Sequence, residues 1–255
     1  MSGRSFTALH KRLEYECRRR DDPSELSDAR PDPLLVAKEQ TDSRAILLCA
    51  LLGYGRASAI VRTLRQIDFS LLNRDEAAIR KGLGGLYYRF QSAEDLVQAA
   101  ITLSRISQQE MKERLSRGYR RKGRVIDGIF DLIERFETLN DYRSRGYAFL
   151  FGQLPKDRQP QSPYKRWMMF LRWMVRKDTL DLGYWSHIPR RDLIVPLDTH
   201  TFHVSRALGL LKRRSYDYKA AVELTETLKT FDPDDPVRYD FALYRIGQER
   251  SEIGD

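Results

Sequence analysis

An all-α fold is predicted for this chain by three observations. Apolar residues recur at helical spacing, most clearly between Val125 and Phe136. Residues that favour helix N-caps, such as Asp42 and Ser92, stand in front of these segments. No stretch alternates between apolar and polar residues for long enough to form a substantial sheet. We therefore expect roughly eight to ten helices joined by turns rich in proline and glycine.

The first elements are an N-terminal helix and a linker within residues 1–40, where residues 21–33 read DDPSELSDARPDP. A helix then begins at Asp42 or Ser43, and its apolar run is broken by Gly53-Tyr54-Gly55. Another begins at Ser92, where Glu94 and Asp95 complement the helix dipole.

The later helices include the apolar stripe that begins at Val125 and the segment DYKAAVELTETLKTF. A last helix is predicted in DPVRYDFALYRIG, with Asp235 as its N-cap and Pro236 as its first residue. None of the breaks requires a second domain, so we expect one helical domain over residues 1–255, with its body at residues 41–250.

The composition favours a polyanionic partner. The 255 residues carry a formal net charge of +9, and 41% of them are hydrophobic, which suffices for a core. There is no run of about 18 apolar residues and no apolar signal-peptide core, so we expect no membrane association and a cytoplasmic, nucleoid-associated monomer. Two cysteines are too few for a four-thiolate cluster, and His200 and His203 have no third ligand nearby, so we expect no metal and no cofactor.

The segment KRWMMFLRWMVRK, residues 165–177, is basic and aromatic and contains no acid. On a helix its apolar side chains share one broad arc. The opposite arc is basic and also holds a tryptophan: Lys165, Arg166, Arg172, Trp173, Arg176 and Lys177. A solvated face and a face that binds phosphates both remain open. The single sign of the charges and the flat indole favour phosphates and a stacked base.

Asp198 stands at the start of a predicted helix in LIVPLDTHTFHVSRALGLL. An aspartate at this position is a good N-cap, worth about 1 kcal/mol, and needs no further role. The same position also keeps a carboxylate ionised, because a helix N-terminus carries partial positive charge.

Two of these segments resemble parts of the helix-hairpin-helix DNA glycosylase superfamily. VPLDTHTFHVSRALGL is similar to its VPVDTHVxRVxxRLGL segment, and YKRWMMFLRWMVR is similar to the DKTxxFxxKM helix of the archaeal 8-oxoguanine glycosylase branch. From about Asp42 to Gly247 the chain also resembles a bacterial family labelled a domain of unknown function, marked by KRLNMFLRWMVRK and IPLDTH. The usual LPGVGxKTA hairpin is replaced by RKDTLDLGYWSHIPRRDL.

The resemblance implies a two-lobed helical fold with an atypical hairpin and a DNA cleft between the lobes. It implies that Asp198 is the essential carboxylate and that Lys165, 33 residues earlier, is the nucleophile. It implies a DNA glycosylase with AP-lyase activity that excises a damaged base, such as the oxidised purine 8-oxoguanine, from double-stranded DNA. The arginines beside Lys165 are expected to favour its neutral amine form.

The remaining candidate residues fall into two groups. The expected base pocket consists of Tyr54, Arg56, Tyr88, Arg89 and Trp173. The expected DNA contacts are Arg166, Arg172, Arg176, Lys177, Thr199, His200 and Arg206.

Two alternatives remain open. The same residues suit a non-catalytic nucleic-acid-binding module equally well. Asp232, Asp234 and Asp235 form a possible cluster for a divalent metal, although Pro233 and Pro236 favour a capped turn there.

Overall fold

The computed structural model describes the backbone of residues 3–253 and the side chains of residues 6–248. Within those residues it contains thirteen α-helices and no strand beyond three isolated bridges, which confirms the all-α prediction. None of these helices has the length and apolar character that crossing a bilayer requires. The helices are α1 (Gly3–Arg20), α2 (Pro33–Ala37), α3 (Ser43–Leu51), α4 (Ala57–Leu64), α5 (Glu76–Leu83), α6 (Ala93–Ser104), α7 (Gln108–Lys122), α8 (Val125–Leu139), α9 (Arg145–Phe151), α10 (Lys165–Val175), α11 (Thr199–Ala207), α12 (Tyr218–Lys229) and α13 (Asp240–Ile253).

Short helices account for part of the difference from the expected eight to ten. α2 has five residues and α9 has seven, too few for the apolar period to stand out in the sequence. Four 3-10 helices lie between the α-helices, at Pro23–Glu25, Phe69–Asn73, Arg190–Asp192 and Pro236–Tyr239.

The chain divides into two compact units, residues 1–25 with 160–255, and residues 26–159. The first holds α1 and α10 to α13, and the second holds α2 to α9. The predicted N-terminal helix therefore shares a unit with the end of the chain. Arg245 of α13 donates to the Glu25 carbonyl at 2.6 Å and forms an ion pair with the Glu25 carboxylate at 3.1 Å.

Predicted caps start two helices of the second unit. The Asp42 carboxylate accepts from the Arg44 backbone N–H at 2.8 Å and starts α3, every residue of which is buried. Ser92 and Asp95 exchange side-chain to backbone hydrogen bonds of 3.1 and 2.8 Å, a capping box that starts α6.

The helices α7 and α8 form a closely packed hairpin. Gly123 joins them in the left-handed region, with φ 66°, a conformation that glycine adopts at little cost. The helices cross where Gly118 faces Gly128. A Cβ on Gly118 would lie 2.6 Å from the Asp127 carbonyl oxygen and 2.7 Å from the Gly128 Cα, so only glycine allows this approach.

The end of α10 is capped by the segment that follows it. The Trp173 carbonyl accepts from Leu182 N–H at 2.9 Å, and the Met174 carbonyl accepts from Trp185 N–H at 2.7 Å. Between α10 and α11 the only helix is the 3-10 turn Arg190–Asp192, so the region where the resemblance places a hairpin contains no α-helix.

The helix predicted to begin at Asp235 and Pro236 is confirmed, with its first turn in the 3-10 rather than the α conformation. These residues introduce the 3-10 helix Pro236–Tyr239, and α13 begins at Asp240. The Asp235 carboxylate makes no cap hydrogen bond and instead binds the Arg176 guanidinium at 2.9 Å.

We predict that Gly118→Ala lowers the free energy of unfolding by about 2–3 kcal/mol, because the new methyl group meets rigid backbone rather than a side chain. Gly85→Ala is the control, since Gly85 is exposed and has no atom within 4 Å of an added Cβ. Urea denaturation of both variants tests this. Equal stability of the two would mean that the helices do not cross this closely.

Candidate active site at the starts of three helices

Lys165 is the first residue of α10 and is half-buried. The preceding residue, Tyr164, has φ 51° and ψ 37°, a left-handed conformation that costs a non-glycine residue roughly 1–2 kcal/mol. α10 has no side-chain cap and no acid in its first turn. The lysine therefore lies at a helix end whose backbone N–H groups are not compensated by a carboxylate of α10 itself.

Asp198 caps α11, as the sequence predicts. Its Oδ1 accepts from the Thr201 backbone N–H at 2.7 Å, and the residue has the extended backbone of an N-cap. Among the described residues, no hydrogen bond is found to its second oxygen, Oδ2. One oxygen thus fixes the carboxylate to the helix.

Tyr216 supports this position and was not predicted from the sequence. Its hydroxyl donates to the carbonyl of Leu197, directly before Asp198, at 2.9 Å. Its ring packs edge-on against Phe202 of α11, with 5.6 Å between centroids. Burial, together with the negative charge of Asp198, raises the pKa of Tyr216 to about 12.

Asp240, the first residue of α13, is the buried carboxylate of the site. Burial raises its pKa to about 6; Arg172, which donates to it at 2.6 Å, opposes this rise. The charge of Asp198 raises the pKa of Asp240 further, and the charge of Lys165 lowers it. Both residues therefore lie within electrostatic range of the same carboxylate, although neither is near it in sequence.

Two arginines of the basic arc, Arg172 and Arg176, do not face solvent. Arg172 binds Asp181 at 3.2 Å in addition to Asp240. Arg176 binds Asp181, and it binds Asp235 at 2.9 Å. Burial alone would lower the pKa of Arg176, but the charges of Asp181 and Asp235 outweigh it and raise the pKa. These five side chains form the buried ion-pair network of the first unit.

This network corrects three predictions. Arg172 and Arg176 are 6% and 8% exposed and fully engaged with carboxylates, so they are not surface contacts for phosphate. Each of these two guanidinium charges is balanced by carboxylates. The two arginines therefore do not act on Lys165 as the unpaired cations that the sequence predicts. Trp173, on the same arc, is 1% exposed and lies in the core, where no base can stack on it.

The other expected DNA contacts are placed differently. Arg166 is half-buried, and the remaining four are exposed: Lys177, Thr199, His200 and Arg206. Arg206 lies over the Phe202 ring, 5.7 Å from its centroid. Their contact with DNA stays a prediction.

Four of the expected base-pocket residues belong to the second unit. Tyr88 is buried, and its hydroxyl donates to the Tyr54 carbonyl. The Arg89 guanidinium lies 5.7 Å from the centroid of the Tyr54 ring, and Arg56 is exposed on the same loop as Tyr54. Tyr54 also contacts Phe149, with ring centroids 4.9 Å apart, so these residues form an aromatic cluster.

Internal contacts occupy two of the three carboxylates of the alternative metal cluster, those of Asp232 and Asp235. Asp232 accepts from the backbone N–H groups of Asp234 and Asp235 and from Arg238. Asp235 binds Arg176. Within residues 6–248, no group of three or more histidine, cysteine, aspartate or glutamate side chains is arranged to hold a metal ion.

A family model described as "Protein of unknown function (DUF2400)" matches residues 32–249, which cover α2 to α12 and most of α13. The chain belongs to the DUF2400 family. No curated protein and no solved structure matches it. The matched residues include Lys165, Asp198 and Asp240, so all three helix starts of the site lie within the DUF2400 region.

We predict that Arg176→Met destabilises the protein by about 3–5 kcal/mol, because Asp235 and Asp181 lose a guanidinium and stay buried. The neighbouring exposed residue offers the control, since Lys177→Met is expected to change stability by no more than about 0.5 kcal/mol. Urea unfolding curves give both values. If Arg176→Met unfolded like Lys177→Met, the buried network would not hold α10 in place.

Proposed function

We propose that the protein is a DNA glycosylase with AP-lyase activity, in which Lys165 is the nucleophile and Asp198 the essential carboxylate. The observation that carries the proposal is that Lys165 and Asp198, 33 residues apart, lie at helix starts of the same unit as the buried Asp240, whose pKa their charges shift in opposite directions. An amine and two carboxylates in one neighbourhood are the groups that Schiff-base chemistry on a sugar needs.

The placement of the three residues supports this role. Lys165 and Asp240 are the first residues of α10 and α13, and Asp198 is the N-cap of α11. Helix N-termini carry partial positive charge, which stabilises negative charge placed there. A nucleophilic lysine must react as the neutral amine, so a base near Lys165 has to take its proton, and Asp198 is the carboxylate we assign to that role.

Lys165 and Asp198 act in turn. The Nζ of Lys165 attacks the anomeric carbon, and the bond from that carbon to the damaged base breaks, so the base leaves with the electron pair and takes a proton from water. Positive charge develops on the sugar as this bond breaks, and the carboxylate of Asp198 stabilises it. Asp198 then accepts the proton that the attached amine must lose and passes it to the ring oxygen as the bond from the anomeric carbon to that oxygen breaks. The product is a protonated Schiff base, from which loss of a proton at the next carbon to water expels the 3′ phosphate.

The way in which the Asp198 carboxylate is held suits a group that stabilises positive charge developing on the sugar. The hydrogen bond from Thr201 N–H holds one oxygen of Asp198 on α11, and Tyr216 fixes the preceding carbonyl. A carboxylate held in this way does not reorganise as the charge develops, which is the main source of electrostatic catalysis. Asp240, with a pKa of about 6, is mostly ionised at pH 7 and adds to the negative potential.

The proposed substrate is lesion-containing double-stranded DNA, and the resemblance favours an oxidised purine such as 8-oxoguanine. Such a base is reached by flipping it out of the stack, at a cost of a few kcal/mol. His200, two residues after Asp198, is exposed and available for the phosphates, and Lys177, beyond the far end of α10, is a further exposed cation of the first unit.

We predict that borohydride traps a covalent adduct between the protein and an oligonucleotide duplex carrying 8-oxoguanine or an abasic site. Lys165→Gln is expected to abolish the adduct, and Arg166→Gln, which removes the adjacent cation, is expected to retain it. Gel electrophoresis of the trapped complexes measures both. Absence of any adduct and any base release with a panel of lesions would favour the non-catalytic binding module instead.

We predict that Asp198→Asn slows adduct formation at least about 100-fold, because the charge is lost. Asparagine caps helices as well as aspartate, so the stability is expected to change by less than about 1 kcal/mol. Asp217→Asn applies the same change to the N-cap of α12 and is expected to leave trapping unaffected. Single-turnover rates would contradict the assignment if the two variants reacted equally fast.

A further inference from the structure

The tip of the α7–α8 hairpin carries a concentration of positive charge that the proposed active site does not use. The turn reads RRKGR, residues 120–124, and all five residues are exposed. Arg117, one turn earlier on α7, is exposed as well. We name these cations, together with Arg158, the hairpin-tip cluster: Arg117, Arg120, Arg121, Lys122, Arg124 and Arg158.

Two buried aspartates of α8 hold the cluster in place. Asp131, 3% exposed, accepts from Arg121 at 2.7 Å and from Arg158 at 2.6 Å. Asp127, fully buried, accepts from Arg124 at 2.7 Å. Asp127 and Asp131 are four residues apart and therefore share one face of α8.

Further cations surround the same two carboxylates at longer range. Arg117 lies 3.9 Å from Asp131, and Lys122 lies 3.8 Å from Asp127. Arg120 has no carboxylate within 4 Å in the part of the chain whose side chains are described. The side chains of Arg117, Arg121 and Lys122 remain 50–60% exposed.

A structural role accounts for only part of this arrangement. Cations in the last turn of α7 complement the helix dipole, and the buried aspartates need positive partners. Arg121, Arg124 and Arg158 meet that need at hydrogen-bond distance. The six cations face Asp127, Asp131 and Glu134, which itself pairs with Arg158 at 3.5 Å, so the tip keeps an excess of positive charge.

We propose that the hairpin-tip cluster binds the phosphate backbone of duplex DNA. Arg121, Arg124 and Arg158 are fixed by the buried carboxylates and neutralise them. Arg117, Arg120 and Lys122 remain exposed beside them on the same hairpin tip, which favours a polyanion with closely spaced phosphates. The proposal shares its partner with the proposed function, but it needs neither Lys165 nor any chemistry. It assigns to the second unit a DNA contact that depends on charge rather than on base sequence.

The test measures binding to an undamaged duplex by fluorescence anisotropy as the salt concentration rises. The variant is Arg117→Gln/Arg120→Gln/Lys122→Gln, which spares the three arginines that hydrogen-bond to Asp127 and Asp131. The control, Arg62→Gln/Arg74→Gln/Lys81→Gln, removes the same charge from exposed positions of the same unit outside α7 and α8. Arg120→Glu alone is a second variant that leaves both buried aspartates with all their partners.

The triple variant at the tip is expected to reduce the slope of log K against log salt by about 2–3, since each lost phosphate contact contributes about 0.9. Binding at 0.1 M salt is expected to weaken about 10- to 100-fold, and the control is expected to reduce the slope by less than about 1. Arg120→Glu is expected to weaken binding more than any single substitution of the control set.

Equal slopes for the tip variant and the control would overturn the proposal. The proposal would also be overturned if the triple variant at the tip lost binding to vesicles of phosphatidylcholine and phosphatidylglycerol but bound the duplex as tightly as the unmodified protein. The surface would then serve a membrane. The two proposals fail separately. Equal slopes with a Lys165-dependent adduct reject the tip alone, whereas a tip-dependent slope without any adduct rejects the glycosylase alone.

Discussion

The buried ion-pair network of Arg172, Arg176, Asp181, Asp235 and Asp240 is the constraint on which the first unit depends. Removing these charges from water costs several kcal/mol for each ion, and only close pairing offsets that cost. Each arginine therefore binds at least two carboxylates, and Asp181 is shared between both arginines. Because the carboxylates come from three separate places in the chain, the pairing requires α10, the segment after it and the start of α13 to fold together.

The network also explains why α10 is buried on both of its arcs. An amphipathic helix normally leaves its charged side in water, and the sequence of α10 has that pattern. Here the arginines find acids 5 to 68 residues away, so the polar side becomes interior as well. Of the residues from Trp167 to Arg176, none is exposed, and only the ends of the helix remain accessible to a ligand.

Local signals in the sequence predicted local structure well. The caps at Asp42, Ser92 and Asp198 are all present, because an N-cap needs only a side-chain oxygen and the backbone N–H two or three residues later. At Asp235 the predicted helix start is present as well, but the carboxylate binds the distant Arg176 instead of a backbone N–H. Whether a charged side chain faces solvent depends on such distant partners, and nothing within KRWMMFLRWMVRK predicts them.

The candidate site was predictable only in part for the same reason. Lys165 and Asp198 stand in segments that a reader of the sequence can single out. Asp240 lies in the predicted last helix, DPVRYDFALYRIG, but no pattern there marks it as a functional residue. Tyr216 contributes through a hydroxyl bonded to a backbone carbonyl, which no sequence pattern marks either. Asp240 and Tyr216 can be assigned to the site only from the folded structure, because their partners are distant in the sequence.

The positions of Lys165, Asp198 and Asp240 follow from the same constraint. The interior of α10 is committed to the network, so a reactive group on this helix has to lie at its end, where Lys165 is. Asp240 belongs both to the network, through Arg172, and to the surroundings of Lys165 and Asp198. It therefore connects the interaction that stabilises the unit with the place where we locate the chemistry. A carboxylate held by Arg172 cannot move without disturbing α10, and this rigidity is what electrostatic stabilisation of a developing positive charge requires.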